Sequence, residues 1–352
     1  MSVESAISRL KETKIVHRNW QSALSKAFAT LSMASPGDVV CTTGPSRAGK
    51  TKLISELSTL LCGEVDFEST GLIPAVVVDA ENTGPHGKFA TKAFTLRMLQ
   101  AVKHPMYGFT GSDIHEDCTQ SKAERATEST LRVALENAFL HRKTRFLFID
   151  EAQHVKYVSK GAIGGYAVLD SWKCMAKSSG LVLVVVGAYP ILQVVGNSPH
   201  LIGRKSQIHF PRYYSNEEDL TEFARILSSY DRMVSEFADG PVLSESIDIL
   251  YQGSLGCIGL LRQWIIRSAA LCIASDTKLS RKTLIDEMLS KADLQAISAE
   301  IYEGETMLTA PEYQPPSRKS LVSAAPTNGR KGVPFQRNPK RYPPGNRTSG
   351  GK

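Results

Sequence analysis

The chain lacks any uninterrupted apolar run of about 18 residues, the length that spans a bilayer. Its opening residues, MSVESAISRLKETK, have no apolar centre of the secretory kind. These two absences predict a cytoplasmic protein with no membrane contact. There is no Cys-x-x-Cys pair: Cys41, Cys62, Cys118, Cys174, Cys257 and Cys272 are scattered along the 352 residues. That spacing suits reduced thiols better than a disulfide framework or a zinc site. Nothing resembles a helix built to read base edges, and no winged-helix module is recognisable after residue 290. The body also lacks net charge. Its first 310 residues carry 33 basic and 34 acidic side chains, whereas nine basic side chains and one acid follow from Pro311 onward. The net charge of +7 is therefore a property of the C-terminal segment.

What is present is an ordinary globular composition, 42% apolar and 22% charged, long enough to bury a core without covalent staples. Residues 1–35 read as an N-terminal helical segment, since SAISRL and WQSALSKAFATLSMA place apolar residues three and four apart. SPGD at 35–38 is a turn, and VVCTT after it is a strand. IPAVVVD (73–79), RFLFID (145–150) and LVLVVVG (181–187) are nearly unbroken apolar runs, the pattern of strands buried on both faces of a parallel sheet. Helices are expected at 88–102, 122–142 and 163–178, giving an α/β core over 36–215 with helices flanking a parallel sheet. From 216 to 300 the β signal disappears and helices near 216–230, 244–252, 256–274 and 280–291 predict a small helical lid domain. Residues 301–352, rich in Pro, Arg and Gly, are expected to form a disordered basic tail. That tail reads either as an arm gripping DNA phosphates or as a peptide docking on a partner protein.

The stretch CTTGPSRAGKTKL contains a complete G-x-x-x-x-G-K-[ST] between an apolar strand and a helix. Gly44 and Gly49 let the backbone curl so that successive N–H groups face phosphate oxygens. Lys50 brings a positive charge to the outer phosphates, and the Thr51 hydroxyl can ligate magnesium. The whole cradle is Gly44, Pro45, Ser46, Arg47, Ala48, Gly49, Lys50, Thr51 and Lys52. About 100 residues on, FLFIDE ends a strand in two carboxylates. Asp150 would hold magnesium and Glu151 would polarise the water that attacks the γ-phosphate. The pair of elements indicates hydrolysis of a nucleoside triphosphate, with ATP and Mg²⁺ expected.

The Asp-Glu order within DEAQH narrows the class to AAA+ and related P-loop NTPases, and the helical region after 215 fits their lid. In that class a neighbouring subunit inserts an arginine, for which Arg204 is the candidate, with a plain surface arginine as the alternative. Arg262, in GSLGCIGLLRQW, is the candidate lid arginine, or else a helix-face charge. VVVGAYP offers no Asn, Ser or Thr at the end of the fourth strand, so Tyr189 or a backbone group would have to position the water, or hydrolysis is slow.

GPSRAGKT, FLFIDEAQHV, VVVGAYPILQVVGNSPHLIGRKSQIHF and AVVVDAENTGPHGKFATKAFTLRMLQAV together resemble the TnsC/TniB family, AAA+ regulators of DNA transposition in bacterial mobile elements. The similarity covers roughly residues 15–290. It implies a homo-oligomer, ring or helical filament, assembled with ATP around double-stranded DNA without sequence preference. It also implies that the assembly links a TniQ/TnsD-type target selector to the transposase, and that hydrolysis times disassembly. Lys50, Thr51, Asp150 and Glu151 match the family's nucleotide motifs, and Arg204 its trans-acting arginine. Lys88, Lys92, Arg97 and Lys103 lie where related ATPases contact DNA; Lys92 and Lys103 could share a face, and a solvated helix face explains them as well. Two other readings remain: an ATPase of the replication-initiator or helicase-loader type, and a DNA-coating scaffold that uses ATP only as assembly glue.

Overall fold

The apolar runs become strands because a segment with no polar face has to be covered on both sides. In the computed structural model, which describes residues 8, 10–12, 15–82, 87–108, 123, 125–158, 164–196 and 205–309, five strands form one sheet: β1 (Val39–Thr43), β2 (Ala75–Asp79), β3 (Phe146–Asp150), β4 (Val182–Gly187) and β5 (Lys205–His209). All pairings are parallel, in the order β2-β3-β4-β1-β5. Every residue of β1, β3 and β4 is buried, while edge strand β2 alternates, leaving Val77 43% exposed.

Two helices cover one face. α1 (Arg18–Ser32) and α2 (Lys50–Cys62) set Trp20, Ala27, Leu31, Leu53 and Leu57 against Val40, Phe148, Val184 and Ile208. Three cover the other: α3 (Thr91–Ala101), α4 (Glu128–His141) and α5 (Gly165–Ser178) bury Phe94, Leu99, Leu135, Phe139 and Trp172 on Val76, Ile149, Leu183 and Val185. Helix α4 is shorter than its periodicity suggests, because Thr127 caps it by accepting from the Thr130 amide. A short helix, α6 (Ile191–Gly196), follows β4.

The helical region begins at Asn216, whose side chain accepts from the Asp219 amide to cap α7 (Glu217–Val234). Together with α8 (Ile247–Ser254) and α9 (Ile258–Ala274) it encloses a separate core of Phe223, Leu227, Leu250, Leu261, Trp264 and Ile265. No single helix among the described residues is long and apolar enough to cross a membrane; α8 and α9 reach that mark only when joined across a 118° bend.

The largest difference from the expected organisation lies at the C-terminal end. Where a helix over 280–291 is expected, only Arg281–Asp286 is helical, and a new helix, α10 (Lys291–Leu308), runs past residue 300. Ser290 caps it on the Asp293 amide. Arg212 holds it with two bonds to Glu305 at 2.9 and 3.1 Å, Gln193 donates to Glu303 at 2.7 Å, and Ile301 is buried beside Tyr189 and Leu192. The compact unit extends to Thr309. The expected disordered tail of 301–352 is therefore corrected at its start, since residues 301–308 belong to α10; from Ala310 onward it lies outside the described residues.

Candidate nucleotide-binding site

A parallel sheet gathers the C-terminal ends of its strands on one edge, and loops that leave neighbouring strands there face one another. The loop after β1 runs from Gly44 to Gly49 and passes into α2. Gly49 caps α2 with φ +99°, a left-handed conformation that L side chains avoid. Gly44 is needed for another reason than curl: a Cβ there would lie 2.4 Å from the carbonyl oxygen of Phe210, just past β5. Arg47 also has a positive φ, +62°.

Lys50, only 6% exposed, donates from Nζ to the carbonyl oxygens of Gly44 (3.2 Å) and Pro45 (2.8 Å). Burial pushes its pKa down, against the pull of Glu151 and Asp150. The next residue, Thr51, donates from Oγ1 to Asp150 Oδ2 at 2.5 Å, joining α2 to the end of β3. Asp150 is 1% exposed, and burial raises its carboxyl pKa despite that hydrogen bond and one from the Glu151 amide. Loss of water from both a cation at the start of α2 and an anion at the end of β3 marks a place where a multiply charged ligand would restore balance. The donor set, one hydroxyl and one carboxylate oxygen, is of the hard type that suits magnesium.

Glu151 follows with φ +50°, and its side chain is 46% exposed. A cavity of about 840 Å³ lies beside it, lined by Arg47, Ala48, Gly49, Lys50, Thr51 and Lys52, by Glu151, and from the lid by Ile258 and Arg262. Arg262 Nη2 bonds the carbonyl of Lys11 and lies 3.4 Å from that of Leu10. The structure thus brings Lys50, Thr51, Lys52, Asp150, Glu151 and Arg262 together. Gly44, Pro45 and Ser46 complete the loop, and Ser46 Oγ reaches Glu300 Oε1 of α10 at 3.4 Å.

Other expected residues stand elsewhere. Arg204 lies outside the described residues. Tyr189 does not line the cavity: it is 2% exposed and its hydroxyl is 2.9 Å from His209 Nε2. Lys92 and Lys103 do not share a helix face, because α3 ends at Ala101 and Lys103 follows it with φ +49°. There it meets Glu68 at 3.4 Å and the Phe67 ring at 3.9 Å. Arg97 is paired with Glu81 at 2.8 Å and with the Asp79 carbonyl. Lys88 is exposed and Lys92 half-buried in the first turn of α3. Among the described residues the cysteines are free thiols, and no cluster of three or more His, Cys, Asp or Glu could hold a metal.

Two residues near the site carry no sequence signal: Gln153 lies within DEAQH, and His17 belongs to no motif. His17 lines the cavity next to Trp20, and its Nδ1 accepts from the Trp20 amide (3.4 Å), 3.1 Å from the Tyr213 hydroxyl. Burial lowers its pKa from 6.5 to about 4. The unfolded chain therefore takes up this proton first as the pH falls. His17 thus contributes stability that is complete above about pH 6.5 and is lost progressively toward pH 4. By pH 5 that loss is about 2 kcal/mol, at about 1.4 kcal/mol per pH unit. Thermal melts of the native chain and a His17→Gln variant at pH 7 and pH 5 should show the native chain losing more; parallel losses would overturn this account.

Residues 34–195 match the family model described as AAA domain. No curated protein matches. Among solved structures the chain is similar to a Walker-type ATPase of Pyrococcus abyssi at 13% identity and a TM-score of 0.49, covering 81% of this chain and 73% of that one. It is also similar to Drosophila ORC bound to DNA at 12% identity and a TM-score of 0.50, covering 91% of this chain and 82% of that one. With the sheet order, the loop after β1 and the helical C-terminal region, the match over residues 34–195 and the likeness to the ORC chain establish the fold, that of an AAA+ P-loop NTPase.

Proposed function

We propose that this chain binds ATP with Mg²⁺ in the cavity between the loop and the lid, hydrolyses it, and uses the cycle to assemble on and leave double-stranded DNA during transposition. The observation that carries the reading is the meeting of Lys50, the Thr51–Asp150 pair, Glu151 and Arg262 around one cavity. In this reading Lys50 exchanges its carbonyl partners for phosphate oxygens, and the amides at the start of α2 face the same anion. Thr51 and Asp150 would hold the metal, whose charge would offset that developing on the phosphates. Glu151 accepts the proton of the attacking water. Arg262 reports the nucleotide to the lid. Glu151 is exposed enough for a neighbouring subunit to reach it, and Arg204 of that neighbour is the proposed insertion. Support for DNA comes from the resemblance to TnsC/TniB regulators and from the likeness of fold to an ORC described bound to DNA. The transposase and a TniQ/TnsD-type selector are proposed as partners on the same resemblance. Lys88, Lys92, Arg97 and Lys103 are the proposed DNA contacts; of these Lys88 is exposed, while Arg97 and Lys103 would exchange their acidic partners for phosphate.

Negative-stain imaging with linear duplex DNA tests the reading. Rings or filaments on DNA are expected with ATP or a non-hydrolysable analogue and not with ADP or no nucleotide. Monomers in all four conditions would sink it.

A further inference from the structure

The end of β4 is where a polar side chain is expected to position the attacking water, and it is a glycine, Gly187, followed by Ala188. The side chain that reaches this point comes from another strand's loop. Gln153, two residues beyond Glu151, accepts from the Ala188 amide through Oε1 at 3.1 Å. Its Nε2 donates to Glu151 Oε2 at 2.5 Å. A Cβ on Gly187 would stand 2.5 Å from the same Oε1. The glycine thus leaves a slot at the strand end, and the amide of Gln153 fills it. One amide group spans β4 and the acidic residue after β3 and holds both in fixed relation.

We propose that Gln153 is a positioning residue for hydrolysis, supplying from the loop after β3 what the end of β4 lacks. This rests on the reading of Glu151 as the base that accepts the water's proton. Glu151 follows a buried strand with a positive φ and a half-exposed side chain. His154 Nε2 lies 4.0 Å from the same Oε2, beyond hydrogen-bond reach. His154 is itself engaged through Nδ1 with Asn82 Nδ2 at 3.1 Å. The amide of Gln153 has a fixed sense here. Its oxygen faces an N–H donor, so its NH₂ must face the carboxylate and hold it in place.

The sense of the amide supplies the test. Gln153→Glu has the same shape and keeps an acceptor for Ala188, but it loses the donor and sets a second carboxylate against Glu151. Steady-state ATP hydrolysis and binding of a fluorescent ATP analogue are measured for the native chain, Gln153→Glu, Gln153→Ala, Gly187→Ala and the Gln153→Ala/Gly187→Ala double variant. Both Gln153 variants are expected to lose at least about tenfold in kcat with nucleotide affinity within about twofold, as for a base left unaligned. Gly187→Ala is expected to lose a similar factor by displacing the amide, and the double variant should be no slower than Gln153→Ala, since the two changes act through one contact. Native turnover in Gln153→Glu, or losses in the double variant that multiply, would overturn the role of Gln153. A native chain that binds ATP without hydrolysing it would instead overturn the hydrolytic reading and this role with it.

Discussion

A Glu151→Gln variant should bind ATP as tightly as the native chain and hydrolyse it at least about 100-fold more slowly, the usual size of a lost general base. Affinity is spared because the phosphate-facing groups lie on the loop and on α2, whereas Glu151 lies past β3 with nearly half its side chain in solvent. The swap is close to isosteric, and its remaining carbonyl oxygen can still accept from Gln153 Nε2. Only the capacity to take a proton disappears. On the proposed function the consequence extends beyond rate: assemblies formed on duplex DNA with ATP should persist after excess nucleotide is removed, while those of the native chain decay. Retention on immobilised DNA measures this. Hydrolysis within threefold of native, or decay at the native rate, would remove Glu151 from the mechanism.

The second large effect separates ligand binding from stability. Lys50 is a nearly fully buried ammonium whose polar partners in the protein are the two carbonyls of Gly44 and Pro45, and burial holds its pKa down. Lys50→Met keeps the stem and removes the charge. Two carbonyls each lose a hydrogen bond, about 1 kcal/mol apiece, against several kcal/mol of desolvation that a buried ammonium imposes. The nucleotide-free variant should therefore melt at or above the native temperature. ATP at 100 times its dissociation constant stabilises a binding protein by about 2.7 kcal/mol, and this gain should vanish in Lys50→Met. A variant that ATP protects as well as the native chain would show that the loop is not the phosphate site.

The strands were the most legible part of the fold, because residues such as Phe146 to Ile149 and Leu183 to Val186 leave no face for water and so fix both their conformation and their burial. The loop after β1 was legible because its chemistry is local: eight consecutive residues carry it. The long α10 was hidden by weak amphipathicity; only Ile301 and Gly304 are buried along it, and it is held by Arg212 and Gln193 from distant parts of the chain. No periodicity announces such contacts, although Ser290 and Asp293 form a readable cap. His17 and Gln153 were missed for a related reason. Each works through a partner remote in sequence, Tyr213 for one and Ala188 for the other, and a lone polar residue does not disclose its partner.

The join between loop and lid has a mechanical consequence. Gly259, in the first turn of α9, packs so near the carbonyl oxygen of Arg47 that a Cβ would come within 1.7 Å of it. Most helices meet a neighbour through side chains, which can change rotamer and absorb a displacement of an ångström or so. Here peptide touches peptide, and no compliant layer lies between them. A shift of the Arg47 carbonyl toward the lid has no side chain to compress and pushes the first turn of α9 directly. Arg262 sits one turn further along that helix. The contact is a stiff coupling whose travel is set by the backbone of one loop.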